Sequence, residues 1–504
     1  MHIRNHTVRL AIAGAALLAG AVACNPDSLT NLNNRNPNAP QVVPVDKIFP
    51  AGVSNSVALV EGSTMQLYFA ELWPQHMAEY QYPDDDQYAI RPATVDGFWQ
   101  SFYNGGLQDF EQILRQSVGK PDQAGPALVM KAWNYQNATD LWGDMPFAEA
   151  NKGDVGNITP KFDTQQFIYD SILVELKTAA TTMGATNPYG NADLVYNGDN
   201  AQWKKFANSL RARAALHLSK VNPAKAATEI AAAFAAGGFA SDSDDAVLNW
   251  PGDGVNDSPY SVTFKTRDDH RVSKTLADTL ISYNDPRLTI FLRPTQLWTA
   301  ARDSMAKGVA GYDTATVTKY AGLPNGLTAS AAGLLGRSTS RIGTYFAAKT
   351  QPSVLMSNAE YQFILAEAAH RGWIAGGDAA AETYYIAGIT ANMQWYGIST
   401  AAITAYLAQS RVIFNPATAQ QQISLQKWIA LFGQGIESWT EYRRTGFPSL
   451  VPADQAKTTP KMVPRRLEYP PSEQSFNNPN LQAAITRQGG QSMTDKFYWD
   501  KAAP

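Results

Sequence analysis

The segment Ala201 to Lys220 (AQWKKFANSLRARAALHLSK) constrains the fold more than any other stretch of the chain. Trp203, Phe206, Ala207, Leu210, Ala214 and Leu218 fall at i, i+3, i+4, i+7, i+11 and i+15, with Lys204, Lys205, Arg211 and Arg213 mostly off that line. This is one face of an amphipathic helix, and such a face needs a partner helix to cover it. A preceding helix is expected to start at Asp163, whose side chain can cap it while Gln166 reaches back, with Ile168, Ile172 and Leu176 along one side. Asn222-Pro223 breaks the Trp203 helix, and Ala224 to Ala236 forms an Ala-rich partner ended by Gly237-Gly238. These are helical hairpins in series, and no segment shows the sustained alternation of a large sheet.

The second half repeats the theme. Asn358 to Trp373 is amphipathic, and Gly376-Gly377 turns it into Asp378 to Gly397. There Ala380, Tyr384 and Ala387 carry the small, aromatic, small spacing of a tetratricopeptide helix, in which small residues let the paired helix approach. Gln421 to Phe432 and Ile436 to Arg444 make another pair around Gly433 and Gly435. Arg443 and Arg444 suit the negative end of the last helix, Gly446 its left-handed cap, and Pro448 prevents continuation. No strict repeat period runs through the chain, so the expected fold is mainly α, a degenerate scaffold of helix pairs.

Between the halves, about 241–352, helical periodicity fades into Pro- and Gly-punctuated sequence such as Trp250-Pro251-Gly252 and Gly322-Leu323-Pro324-Asn325-Gly326. Its aromatics, Trp250, Tyr260, Phe264, Trp298, Tyr312 and Tyr320, favour an ordered, functional insert. A similar aromatic loop zone runs from Tyr68 to Tyr103. There Trp73, Tyr80, Tyr82, Tyr88, Trp99 and Tyr103 sit among Gln, Asn and Asp, the setting in which a flat ring stacks on the apolar face of a sugar while amides and carboxylates take its hydroxyls. The spacing of Trp99 and of Phe102 to Phe110 is also near-helical and suits packing equally.

Composition removes several function classes. Of 504 residues 17% are charged, and net charge is only −3, too balanced for a nucleic-acid partner. The single cysteine excludes an intrachain disulfide and a Cys-based zinc site. That cysteine, Cys24, follows Arg4, Arg9 and an uncharged run from Leu10 to Ala23. As a helix this run rises about 21 Å, short of a hydrocarbon core of about 30 Å, and reads as an export signal. Ala21-Val22-Ala23-Cys24 looks like a bacterial lipoprotein site, so 1–23 is expected to be a signal peptide and Cys24 the lipidated first residue of the mature chain. The Asn- and Pro-rich stretch 24–44 then reads as a flexible tether, and 45–504 as a single domain. Anchorage would be through lipid alone.

The sequence has no G-x-S-x-G elbow, phosphate loop, dinucleotide fingerprint or H-E-x-x-H helix. His76, His217, His270 and His370 show no paired metal-ligand spacing and read as structural, and no cofactor or metal is implied. Asp84-Asp85-Asp86 and the Asp242, Asp244, Asp245 cluster lack the Gly and terminal Glu of a calcium loop and read as solvated turns.

Several segments together resemble the SusD/RagB-type nutrient-binding lipoproteins of the outer membrane: Asp140 to Phe147 (DLWGDMPF), Trp203 to Leu218, Glu360 to Ala368 (EYQFILAEA), Gly433 to Pro448, and Pro464 to Pro470 (PRRLEYP). The resemblance covers nearly the whole chain in order. It implies a single domain on four tetratricopeptide-like helix pairs with the loop-rich insert carrying the ligand site. It also implies a surface-exposed, lipid-anchored protein that passes glycan or peptide fragments to a TonB-dependent, SusC-type barrel. By the same resemblance Trp99 is the nearest match to an early ligand-stacking Trp, and Trp298 and Tyr312 are placed in the ligand arc by position. The ligand-binding set expected is thus Trp73, Tyr80, Tyr82, Trp99, Tyr103, Trp298 and Tyr312, without catalysis. A secreted helical glycoside hydrolase or polysaccharide lyase is the alternative, since two carboxylates suffice for such chemistry and no motif betrays them. A purely structural adaptor is a third reading.

Overall fold

The computed structural model describes residues 42–502. Ile48–Pro504 forms one compact unit. Cys24, the segment 1–23 and nearly all of the tether lie outside the described residues.

The chain enters through α1 (Val45–Val60), and α2 (Pro92–Phe102) and α3 (Gln108–Gln116) follow the first loop zone. Four helix pairs make the scaffold. The first two are α4 (Pro121–Trp142) with α5 (Gln165–Thr182) and α6 (Asn200–His217) with α7 (Pro223–Ala236). After the insert, which carries α8 (Lys274–Ser282) and α9 (Gln296–Ala306), come α10 (Asn358–His370) with α11 (Gly377–Trp395). The short α12 (Thr400–Leu407) precedes the last pair, α13 (Ala419–Ala430) with α14 (Gly435–Thr445), and α15 (Asn478–Gln488) closes the fold. No helix among the described residues is long and apolar enough to cross a membrane.

Helix starts follow side-chain capping. Asp199 accepts from the Ala201 amide (2.8 Å) at α6, and Asn222 caps α7 ahead of Pro223, whose missing N–H costs nothing in the first turn. At α5 the cap is Thr164, not Asp163: its hydroxyl accepts from Phe167 N at 3.1 Å. Thr164 has the extended backbone a cap requires, which leaves Asp163 one residue too early; its carboxylate instead takes the amides of Phe147 (3.1 Å) and Ala148 (2.8 Å) and fastens the α4–α5 loop. The α10–α11 contact is also one residue out of the expected register. Ala381, Tyr385 and Gly388 face the core, while Ala380, Tyr384 and Ala387 are half-buried. Gly388 decides this register, because a Cβ there would stand 2.8 Å from the Phe363 ring of α10. Gly446 does end α14 in the left-handed region (φ 78°).

A buried ionic network crosses all four pairs. The Asp140 carboxylate of α4 accepts from Tyr169 of α5 at 2.5 Å, and the Tyr169 oxygen lies 2.9 Å from His217 Nδ1 on α6. His217 Nε2 reaches Glu437 of α14 at 3.0 Å. Arg213 of α6 forks onto Glu360 of α10 (2.5 and 2.7 Å), and Arg444 of α14 onto both Glu367 (2.6 and 2.7 Å) and Glu441 (2.8 and 2.9 Å). Arg443 gives its guanidinium to the carbonyls of Asp140 and Arg465. Arg443 and Arg444 therefore do more than complement a helix end: they are buried cross-links between pairs. Such bidentate pairs are what a buried guanidinium needs to offset its desolvation.

Two short antiparallel ladders position the insert. It leaves through β2 (Ala246–Leu248) and returns through β4 (Ser353–Met356), paired Leu248 to Ser353 and Val247 to Val354. Farther out, β1 (Met77–Glu79) from the first loop zone pairs with β3 (His270–Val272) from the insert, Met77 to Val272, Ala78 to Arg271 and Glu79 to His270. Asp86 adds a second clasp. It is fully buried, not solvated, and accepts from Asn325 Nδ2 (2.8 Å) and Gly326 N (2.7 Å) of the insert.

Candidate binding cleft

The β1–β3 ladder brings together the two aromatic loop zones, and a cleft of about 470 Å³ opens between them. One wall comes from 67–91 and the other from 263–270. Tyr68 lies within a widened π-type turn over Gln66–Ala70, a local distortion that recurs at functional sites. Tyr82 holds φ at 55°, a left-handed backbone that a bulky residue rarely adopts, and its side chain is 67% exposed at the cleft.

Each tyrosine has a guanidinium beside it. Arg91 Cζ is 5.3 Å from the centre of the Tyr68 ring, and Arg267 Cζ is 5.5 Å from that of Tyr82. Asp85 lies 3.7 Å from Arg91, and Asp269 pairs with Arg267 Nε. Burial lifts the Asp85 carboxyl to about 6 against the pull of Arg91. Burial likewise holds Glu79 well above the usual carboxylate range, with the Asp85 charge adding to it. The His270 imidazole is pushed down by burial. Its Nε2 lies 3.1 Å from the Leu67 carbonyl, an acceptor only, so Nε2 carries a proton, while Nδ1 is buried without a hydrogen-bond partner.

The expected ligand rings do not form one arc. Tyr82 lines the cleft. Tyr80 stands at its edge with the Arg271 guanidinium over its face at 4.0 Å. Trp73 is a correction: it is fully buried, edge-on to Trp439 (4.8 Å) and near Phe69 (5.1 Å), with no face left for a ligand. Its partner on α14 is remote in sequence, so its position among polar residues gave no sign of this. Trp99 and Tyr103 line a separate groove of about 400 Å³ at the far end of α2, with the amides of Gln100, Asn104 and Gln108 and the exposed Phe476. Trp99 is only 3% exposed there, stacked on Phe162 and bonded through its indole N–H to Glu473 (3.0 Å). Trp298 and Tyr312 lie in neither recess; Trp298 packs beneath Lys319 (4.8 Å), and Tyr312 is half-exposed.

Tyr68, Arg91, Arg267 and His270 were not singled out by sequence reading as ligand residues. The one signal for them was the Asp84-Asp85-Asp86 run among tyrosines, whose members diverge: Asp84 is exposed at the cleft, Asp85 sits under Arg91, and Asp86 is a core clasp. The second acidic cluster is structural, Asp244 pairing with Lys205 (2.7 Å) and Asp242 with Asn358 (2.9 Å). His217, Glu437 and Glu441 bring ligand atoms within 4.8 Å of one another. Lys427 Nζ already supplies the positive charge there, 3.5 Å from Glu437 and 3.4 Å from Glu441. His217 is held on both ring nitrogens, by Tyr169 and by Glu437.

Tetratricopeptide-like helix pairs with a recessed, tyrosine-edged cleft at a loop insert define a non-repetitive helical scaffold. A family model, SusD-like, described as "Starch-binding associating with outer membrane", matches residues 51–470, and the chain belongs to this family. Among solved structures, one described as a chitin-binding protein is similar at a TM-score of 0.77 and 28% identity, covering 90% of this chain and 99% of that one. A chitin-binding SusD homolog from Flavobacterium johnsoniae matches at 0.77 and 23% (90% and 99% covered), and a SusD-like protein from Bacteroides thetaiotaomicron at 0.75 and 21% (90% and 98%). The last two speak to the fold alone. No curated protein sequence matches the chain.

Proposed function

We propose that this protein is a non-catalytic, cell-surface glycan receptor, held in the outer membrane by lipid on Cys24, that captures oligosaccharides in the cleft and passes them to a TonB-dependent, SusC-type barrel. The observation that carries the reading is the cleft itself, in which β1–β3 joins two loop zones to present an exposed Tyr82 beside charged and amide groups. Rings flanked by hydrogen-bonding groups suit a polyhydroxylated ligand. Family membership and the 28% identical chitin-binding relative support a glycan over a peptide, and the lipoprotein-like sequence around Cys24 supports the anchor.

Isothermal titration of the purified chain with a glycan and peptide panel, followed by product analysis, tests this. Saturable oligosaccharide binding without cleavage is expected. Turnover would transfer the protein to the hydrolase or lyase reading, and failure to bind any sugar or peptide would leave the adaptor. Cys24→Ser in cells is expected to move the protein from the membrane fraction to the soluble one.

A further inference from the structure

Beside the cleft lies a smaller recess of about 220 Å³, walled by 264–270 on one side and by Arg293, Arg341 and Ile342 on the other. Arg267 lines both cavities and so makes them neighbours. The recess is built on an antiparallel contact between two stretches of the insert. Leu292 pairs with Ile342, and the Arg293 amide donates to the Arg341 carbonyl at 2.9 Å. Arg293 and Arg341 therefore stand directly opposite each other on one side of that contact, a placement in which like charges destabilise the pairing.

The surrounding acids do not answer this charge. Lys265 and Lys349 share Asp257, Arg267 pairs with Asp269, and Arg271 and Arg341 share Asp268. Arg293 is left over. Its Nε donates to the Ile342 carbonyl at 2.7 Å, and its terminal nitrogens have neither a carboxylate nor another hydrogen-bond partner among the described residues. The side chain is half-buried, and burial, then the Arg341 charge, hold it below the ordinary arginine value. A guanidinium keeps its charge through the neutral range all the same, so the surplus does not titrate away.

The deficit in the recess is thus of acceptors that carry negative charge. An acidic oxygen group takes a guanidinium fork through two oxygens and would answer both arginines at once. An ammonium would add like charge, and a hydroxyl or acetamide brings an acceptor without the charge.

On the reading of the cleft as a glycan site, we infer that the recess is a subsite for an anionic substituent of the glycan, a uronate carboxylate or a sulfate ester held between Arg293 and Arg341.

Titration calorimetry of the full chain with two pairs of oligosaccharides matched in length tests this: an oligogalacturonate against its methyl ester, and a sulfated galactan fragment against its desulfated counterpart. A charged member is expected to bind about tenfold more tightly than its neutral partner, with the advantage shrinking as salt is added, and the pair that shows it tells carboxylate from sulfate. Arg293→Gln is expected to cut the advantage severalfold with a melting temperature unchanged or raised, because it removes a like-charge contact and no ion pair. An advantage that survives Arg293→Gln and Arg341→Gln alike overturns the placement in this recess. Neutral chains that bind as tightly as charged ones overturn the anionic subsite and leave the glycan reading standing. If none of the four binds, the subsite falls, and the glycan reading falls with it only where no sugar of the wider panel binds.

Discussion

Arg271 covers the ring of Tyr80, its guanidinium carbon 4.0 Å from the ring centre, and is itself held by the Gly336 carbonyl (2.9 Å) and Asp268 (2.9 Å). The pair follows from β1–β3 register: Arg271 stands opposite Ala78, and Tyr80 emerges two residues on, on the same side. Tyr80 therefore joins the two zones, whereas Tyr82 stands exposed at the cleft with Arg267 beside it.

Substitution should separate the two roles. Tyr80→Ala is expected to lower stability by about 2 kcal/mol, from the lost cation–π contact and packing, as read by urea denaturation. Tyr82→Ala is expected to leave the melting temperature unchanged and to weaken oligosaccharide binding about fivefold to tenfold in calorimetry. Equal affinity in the Tyr82 variant would remove it from the site.

Trp99→Ala is expected to behave as a core deletion. The ring is stacked on Phe162, edge-on to Trp142 at 5.2 Å and bonded to Glu473, so about 3 to 5 kcal/mol of stability should be lost. A stable variant with selectively weakened glycan binding would instead make the neighbouring groove the ligand site.

The buried Arg213–Glu360 fork predicts strong coupling. Glu360→Ala leaves Arg213 without its bidentate partner in the core and should cost about 3 to 5 kcal/mol, while a double change to Arg213→Met and Glu360→Leu should recover much of that loss. Additive losses in a double-mutant cycle would contradict the coupling.

His217 gives the network a pH dependence. Burial alone would lower its pKa, but the Glu437 charge and the bond to Asp140 overcome this and raise it to about 9. Free of the fold, an imidazole titrates near about 6.5. The charged ring therefore stabilises the fold fully below that value, and the contribution, about 3 kcal/mol, is lost as pH rises through about 9. Denaturation curves across this range should show the decline, and His217→Gln should flatten it.

Most of the scaffold was legible because helix pairs announce themselves locally. Trp203, Phe206 and Leu210 mark a stripe within one segment, and all three are buried as that stripe requires. What escaped depended on partners elsewhere in the chain. Ala381 and Ala380 are interchangeable to a spacing rule, and only the Phe363 ring pressing on Gly388 distinguishes them. Trp73, Tyr80 and Tyr82 share one polar neighbourhood in sequence, yet Trp439 claims the first, Arg271 the second and neither the third. For the same reason the charge network was invisible: Glu360 and Glu367 read as ordinary helix carboxylates until their arginines, Arg213 and Arg444, arrive from other pairs.

The clasp between β1 and β3 bears on how the cleft responds to substitution. The cleft walls belong to two stretches of chain joined by three backbone pairs, whose hydrogen bonds place no demand on side-chain identity. The frame beneath is locked separately, by ion pairs between the helix pairs. Side chains tie the walls as well, Arg271 over Tyr80 and Arg267 beside Tyr82, so a change of residue in one wall is felt in the other.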